Sequence, residues 1–111
     1  MTITEFVHAR IADDEAVASR TSATSDVRTV SGNPAVTAHL HRFGPERVLA
    51  ECAVKRALIQ DLWETASLSG NEFGAFRERR ELERDGAYPV GLRHLATVYA
   101  WHPDFQEGWR P

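Results

Sequence analysis

The segment PERVLAECAVKRALIQDLWETA, residues 45–66, decides the fold class because its apolar side chains repeat at helical spacing. Glycine suits a helix exit and proline suits the first turn of the next helix, so Gly44-Pro45 marks a boundary between two helices. The apolar stripe comprises Val48, Leu49, Cys52, Ile59, Leu62 and Trp63. The segment therefore predicts one long amphipathic helix that packs against other helices.

The sequence on the N-terminal side predicts two further helices. Thr2-Ile3-Thr4-Glu5 has the form of a capping box, and apolar residues recur at helical spacing from Ile3 to about Arg20. Asn33-Pro34 has the form of a cap followed by a first-turn proline, which predicts a short helix that ends near Phe43. Its apolar stripe includes His39, for which we expect a hydrogen-bonded position in the core.

The sequence on the C-terminal side predicts a charged helix and a last apolar helix. The first covers about residues 73–85 and is stopped by Gly86, and the second begins near Pro89. Ser and Thr are frequent between the first two predicted helices, which leaves open one short strand or hairpin near residues 26–31. We therefore predict a mainly α fold, a small helical bundle of three to five helices in a single domain of residues 1–111.

Composition and net charge exclude several classes of protein for this sequence. The chain has 111 residues, of which 42% are hydrophobic and 26% are charged, an ordinary globular composition. Its formal net charge of -3 lacks the basic excess that usually supplies affinity for nucleic acid. Cys52 is the single cysteine, which excludes an internal disulfide, and residues 1–20 contain no apolar run long enough for a membrane span. We expect a cytoplasmic protein with no membrane contact and no nucleic acid as general partner.

Asp14 and Arg56 each interrupt an otherwise apolar helical face. Asp14 follows Val7 and Ile11 at helical spacing, and Arg56 lies between Cys52 and Ile59. If the two helices pack antiparallel, the two side chains can form a partly buried ion pair that fixes their register. The sequence therefore predicts a structural ion pair at these positions in preference to a catalytic one.

The residue types that carry metal or catalytic chemistry do not occur at the required spacings. His39 and His41 would point in different directions on a helix, whereas metal-binding pairs are normally three or four residues apart. Cys52 lies within an apolar helical stripe, which is typical of a core residue. We predict no catalytic residue, no metal and no cofactor. A small enzyme, the open alternative, requires His39, His94 or His102 to cluster around a pocket.

The stretches at residues 39–56 and 100–111, with the acidic run Asp13-Asp14-Glu15, resemble the family of unknown function DUF6221. The terminal Trp109-Arg110-Pro111 is the most specific part of the resemblance. Because members of that family occur in actinomycetes and their phages, the resemblance implies an actinobacterial or phage origin. It implies no activity, cofactor or catalytic residue.

Two function hypotheses follow from the surface residues. The first is a non-enzymatic, protein-binding or self-associating helical module, an accessory or phage-related factor whose partner is a protein or a second copy of the chain. The residues predicted to contact that partner are Trp101, Phe105, Trp109, Arg77, Arg80 and Arg84. The three aromatic residues are four positions apart, so a helical tail would align them into one ridge. His102-Pro103 interrupts the helical pattern, however, and we favour a tail that docks back on the core over one whose aromatic residues bind a partner. The alternative is a DNA-binding regulator that uses the Arg77–Arg84 face.

Overall fold

The computed structural model of the protein describes residues 1–23, 33–68 and 79–111. Its elements are the helices α1 (Ile3–Ala23), α2 (Pro34–Phe43), α3 (Pro45–Leu68), α4 (Arg79–Arg84) and α5 (Val90–Thr97), and a 3-10 helix (Glu107–Trp109). The predicted mainly α fold is confirmed, and no strand occurs within the described ranges. The possible strand near residues 26–31 and the first half of the predicted charged helix lie outside them.

Local capping fixes where the helices begin and end. The hydroxyl of Thr2 accepts a hydrogen bond from the amide of Glu5 at 3.1 Å, and the side-chain oxygen of Asn33 accepts from the amide of Ala35 at 2.9 Å. Gly86 has φ +76°, the left-handed conformation that ends helix α4 and that glycine adopts without strain. These boundaries agree with the sequence because the signals that set them are local.

The chain divides into two compact units. The terminal unit consists of Met1–Arg10 and Arg56–Pro111, and the middle unit consists of Ile11–Lys55. The single domain of residues 1–111 stays a prediction.

The terminal unit is built around large apolar side chains. Its part of α1 runs antiparallel to its part of α3, since Thr4 contacts Trp63 and His8 contacts Arg56. The buried apolar residues are Ile3, Phe6, Val7, Ile59, Trp63, Ala66, Leu82, Leu92, Ala96, Tyr99 and Trp109. A Cβ atom on Gly91 would lie 2.7 Å from Cδ2 of Leu62, so glycine allows α5 to pack closely on this side chain.

The middle unit has a smaller described core. Its buried apolar side chains are Ile11, Ala18 and Cys52, and the thiol of Cys52 lies 3.9 Å from the carbonyl oxygen of Ile11. Every described side chain of α2 is exposed, including Phe43 at 63%. The prediction of a core position for His39 is therefore wrong: its ring is exposed and lies 5.2 Å from that of Phe43.

Two apolar residues of the segments predicted to be amphipathic helices are exposed. Val17, in the first predicted helix, is 54% exposed, and Val98, in the last predicted helix, is 55% exposed. Spacing identifies the side of a helix on which a residue lies, but burial also requires a neighbouring element that covers it.

Candidate functional site

Residues 98–111, which we call the C-terminal tail, continue from α5 as a series of turns and end in the 3-10 helix. The tail is not a helix that aligns Trp101, Phe105 and Trp109 into one ridge, and the predicted interruption of the helical pattern at His102-Pro103 is confirmed. Proline fixes its own φ and disfavours helix at the preceding residue, and Pro103 lies in the middle of the tail. The three aromatic side chains consequently have different environments.

Phe6 is the centre of an aromatic cluster onto which the tail packs. Its side chain is fully buried, and its ring centroid lies 4.9 Å from that of Trp109 and 6.1 Å from that of Phe105. Edge contacts to Tyr99 at 6.5 Å and to His102 at 5.9 Å complete the cluster. The tail thus docks on the core of its own unit, and Trp109 is only 6% exposed.

Arg10 holds the tail from helix α1. Its Nη1 atom lies 2.7 Å from Nδ1 and 2.5 Å from Nε2 of His102, and its guanidinium carbon lies 5.4 Å from the ring centroid of Phe6. The amide of Asp104 donates to Nδ1 of His102 at 3.1 Å, and the Asp104 carboxylate lies 3.9 Å from Nη1 of Arg10. Cation–π and polar contacts thereby join α1 to the turn at residues 102–104.

Arg93 holds the end of the tail from helix α5. Its Nε donates to the carbonyl of Trp109 at 3.2 Å, and its Nη2 donates to the carbonyl of Gly108 at 3.3 Å and to that of Arg110. A guanidinium carries several N–H groups in a fixed plane, which lets one side chain bind several carbonyls. Sequence reasoning missed Arg93 because these bonds join residues 15 to 17 positions apart, which no local pattern predicts.

Arg110 adds an exposed contact at the same end. It donates to the Glu107 carboxylate at 2.6 Å, and this hydrogen bond lowers the pKa of Glu107 below its ordinary value. The Arg110 guanidinium carbon also lies 5.2 Å from the ring centroid of Phe105. Both contacts are local to the tail.

Trp101 lies on the outside of the docked tail. It is 73% exposed, and its ring centroid lies 5.5 Å from that of His102, which Arg10 also contacts. Val98, three positions earlier, is 55% exposed. We call Val98 and Trp101 together the Trp101 surface. Of the three predicted aromatic contacts, Trp101 alone is exposed, while Phe105 is partly buried and Trp109 is buried.

The predicted arginine face is only partly described. Arg77 lies outside the described residues, and Nη2 of Arg80 lies 3.4 Å from a carboxylate oxygen of Glu5. Arg84 is exposed, and it lines a cavity of about 470 Å³ together with Arg80, Glu5, Glu83 and Trp109. The cavity wall therefore carries charges of both signs.

A second polar cluster surrounds His8 in the terminal unit. Nη1 of Arg56 lies 3.2 Å from Nδ1 of His8. Burial, followed by the charges of Arg56 and Arg79, lowers the pKa of His8 below its ordinary value, and Glu83 opposes them. The predicted Asp14–Arg56 ion pair joins residues of different compact units and stays a prediction.

The other candidate residues differ in their exposure to solvent. His39, His41 and His94 are exposed, and Cys52 is buried. Within the described ranges, no three His, Cys, Asp or Glu side chains converge in a way that could hold a metal ion. No helix in the same ranges is long and apolar enough to cross a membrane.

The family model of DUF6221, a family of unknown function, matches residues 1–111. The chain belongs to this family. The comparison with curated proteins gave no match, and neither did the comparison with solved structures.

Proposed function

We propose that the protein is a non-enzymatic, protein-binding or self-associating helical module that contacts its partner through the Trp101 surface. The observation that carries this proposal is the 73% exposure of Trp101 on a tail that is docked at other positions. Large exposed apolar side chains are typical of interaction sites, and tryptophan is enriched among the residues that dominate binding energy.

The contacts of the tail support this proposal. Arg10 holds the turn next to Trp101, Arg93 holds the carbonyls at the end of the tail, and Trp109 is buried against Phe6. A flexible side chain loses conformational entropy when it binds a partner. A side chain on a segment that is already held in place loses less of this entropy. Burial of Trp109 and part of Phe105 leaves Trp101 as the aromatic residue of the tail that can contact a partner.

The DNA-binding alternative depends on the Arg77–Arg84 face. Nearby carboxylates reduce the net positive charge of that face, and Glu5 lies within ion-pair distance of Arg80. Affinity for duplex DNA rises with the number of phosphates that basic residues neutralise. Binding to a nonspecific duplex that appears at low salt and falls steeply with added salt would favour this alternative.

We also propose a cellular location and a biological origin for the protein. The single cysteine and the expected absence of a membrane span support a cytoplasmic location, and the family resemblance supports an accessory role in an actinobacterium or one of its phages. Neighbouring genes and a fractionated cell extract are the observations that would test this setting.

The test compares self-association in the wild type, Trp101→Ala and Phe43→Ala. Phe43 is a matched control because it is an aromatic residue of similar exposure, 63%, in the other unit. Sedimentation velocity over a range from low micromolar to near-millimolar protein measures the dimerisation constant. We expect Trp101→Ala to weaken association at least about tenfold and Phe43→Ala to leave it nearly unchanged.

A protein that stays monomeric throughout this range requires a second measurement. Crosslinking in the source cell, followed by quantification of captured proteins, then compares the same three forms. A partner that is lost with Trp101→Ala and kept with Phe43→Ala supports the proposal. Equal losses in both variants, or no partner and no self-association, would reject it.

A further inference from the structure

The cavity lined by Arg80 and Arg84 lies within the terminal unit, and its charged side chains differ in whether they are paired. Its volume of about 470 Å³ is in the range of cavities that bind small molecules. Arg80 lies 3.4 Å from a carboxylate oxygen of Glu5, so these two charges offset each other. The side chain of Arg84 is exposed and forms no ion pair or hydrogen bond with any residue that the structure describes. The cavity wall therefore contains one cation without a counter-charge.

Glu83 provides the opposite charge in the same wall. Its Oε1 atom accepts hydrogen bonds from the amide of Thr4 at 2.9 Å and from the hydroxyl of Thr4, which fix the position of the carboxylate. Both donors are neutral, and no basic side chain in the described ranges forms an ion pair with Glu83. Arg84 is the next residue of α4, and successive helix positions do not face each other. The carboxylate of Glu83 therefore keeps its negative charge and its Oε2 atom for a ligand.

Trp109 adds a hydrogen-bond donor to the cavity wall. Its side chain is buried, yet its indole N–H donates to no acceptor within residues 1–23, 33–68 and 79–111. A buried tryptophan usually finds a partner for this group, so its presence in a cavity wall points to a ligand that accepts a hydrogen bond. Arg93 donates to the carbonyl of Trp109 and thereby holds this residue at the wall.

We propose that the cavity binds a small zwitterion, an apolar α-amino acid. The carboxylate of the amino acid accepts hydrogen bonds from the guanidinium of Arg84 and the indole of Trp109, and its ammonium group donates to Glu83. A ligand with one charge of each sign complements this wall better than a simple anion or cation, which would leave one wall charge unmatched. Met1 and Ile3, both apolar, line the same cavity and provide contacts for the hydrocarbon side chain.

This binding is separate from the protein-binding role proposed above and does not depend on it. NMR of the three tryptophan indole N–H groups in the assigned, isotope-labelled protein tests it. Leucine, methionine and phenylalanine are titrated separately at constant pH, up to about 10 mM, which covers the weak affinities of small ligands. We expect at least one of them to shift the indole signal of Trp109 saturably, and the signal of Trp101, which is outside the cavity wall, to stay constant. No saturable shift with any of the three would overturn the proposal.

Two analogues of the amino acid that binds separate the contributions of its two charges. The N-acetyl form lacks the ammonium group, and the primary amide lacks the carboxylate. Each analogue should bind at least about tenfold more weakly than the amino acid itself. Equal affinity of the N-acetyl form would mean that the cavity binds a simple carboxylate, and equal affinity of the amide would mean that it binds a simple cation. Either result would overturn the proposal.

Variants of the two charged residues assign each ligand group to a side chain. Arg84→Gln should abolish the preference for the amino acid over its amide, and Glu83→Gln, which keeps an acceptor for Thr4, should abolish the preference over the N-acetyl form. Arg79→Gln is the control, because Arg79 is an exposed arginine of the same helix outside the cavity wall, and it should keep both preferences. Circular dichroism checks that each variant is folded, and if one is not, the analogues still decide with the wild type. Unchanged preferences in both folded variants would overturn the proposal.

Discussion

The two compact units differ in how their side chains are used. The terminal unit buries aromatic rings from α1, α3 and the C-terminal tail, and the arginines Arg10 and Arg93 hold the tail in place. Among the described residues of the middle unit, by contrast, the buried apolar side chains are Ile11, Ala18 and Cys52, and those of α2 are exposed. The comparison teaches that similar helical patterns lead to very different amounts of buried surface. We therefore expect the stability of the protein to depend mainly on the terminal unit.

The largest effect is expected from Phe6→Ala. Phe6 is fully buried and contacts several aromatic rings, so its loss should lower the free energy of unfolding by about 4 kcal/mol. Phe43→Ala, at an exposed position of the middle unit, should change it by less than about 0.5 kcal/mol. Urea unfolding followed by circular dichroism measures both, and equal losses would break the comparison between the units.

A smaller effect is expected from Arg93→Gln. The substitution removes charge-assisted bonds to the carbonyls of Gly108, Trp109 and Arg110, which should cost about 1 to 2 kcal/mol. Amide hydrogen exchange should show the loss of protection first in residues 107–110. Arg47→Gln is the control, since its exposed pair with Glu51 is expected to contribute less than about 0.5 kcal/mol. A similar loss in the control would argue against a special role for Arg93.

Cys52→Ala tests how much the core of the middle unit contributes to the stability of the protein. Loss of the buried sulfur should lower the free energy of unfolding by about 1 kcal/mol, because the vacated space is small. Val54→Ala, on the same helix and 65% exposed, should stay within about 0.5 kcal/mol of the wild type. Thermal unfolding of the two variants side by side measures the difference. A loss for Cys52→Ala as large as that for Phe6→Ala would mean that the middle unit contributes as much as the terminal one.

The smallest effect is expected from the titration of His8. Its pKa in the folded protein lies below the ordinary value of 6.5, so the unfolded chain binds the proton more readily. The corresponding stability is present above pH 6.5 and is lost as the pH falls below it toward the pKa of the folded state. When the pH is lowered from neutral to mildly acidic, the urea concentration at the midpoint of unfolding should fall less in His8→Gln than in the wild type.

The sequence predicts the helices well where local signals determine them. Thr2 and Asn33 cap helix starts through hydrogen bonds to residues two or three positions away, and Gly44-Pro45 separates α2 from α3. Such contacts depend on neighbouring residues alone, so they can be read without knowing the fold.

The tail and the candidate sites could not be predicted in the same way. Contacts of the tail join Arg10 to His102 across 92 positions and Arg93 to the carbonyls of residues 108–110. Proline chemistry predicts the interruption of the helical pattern at His102-Pro103, but it does not predict which distant side chains hold the turns. His8 illustrates the same limit, because its partner Arg56 is 48 positions away.

The unequal burial of the tryptophans supplies an optical signal for the partner experiment. Of the three, Trp63 and Trp109 are 1% and 6% exposed, whereas Trp101 is 73% exposed. Acrylamide in solution should therefore quench the fluorescence of Trp101 in preference to the other two. A partner that covers Trp101 should shift its emission toward shorter wavelength and shield it from the quencher, so the unlabelled protein reports on its own binding.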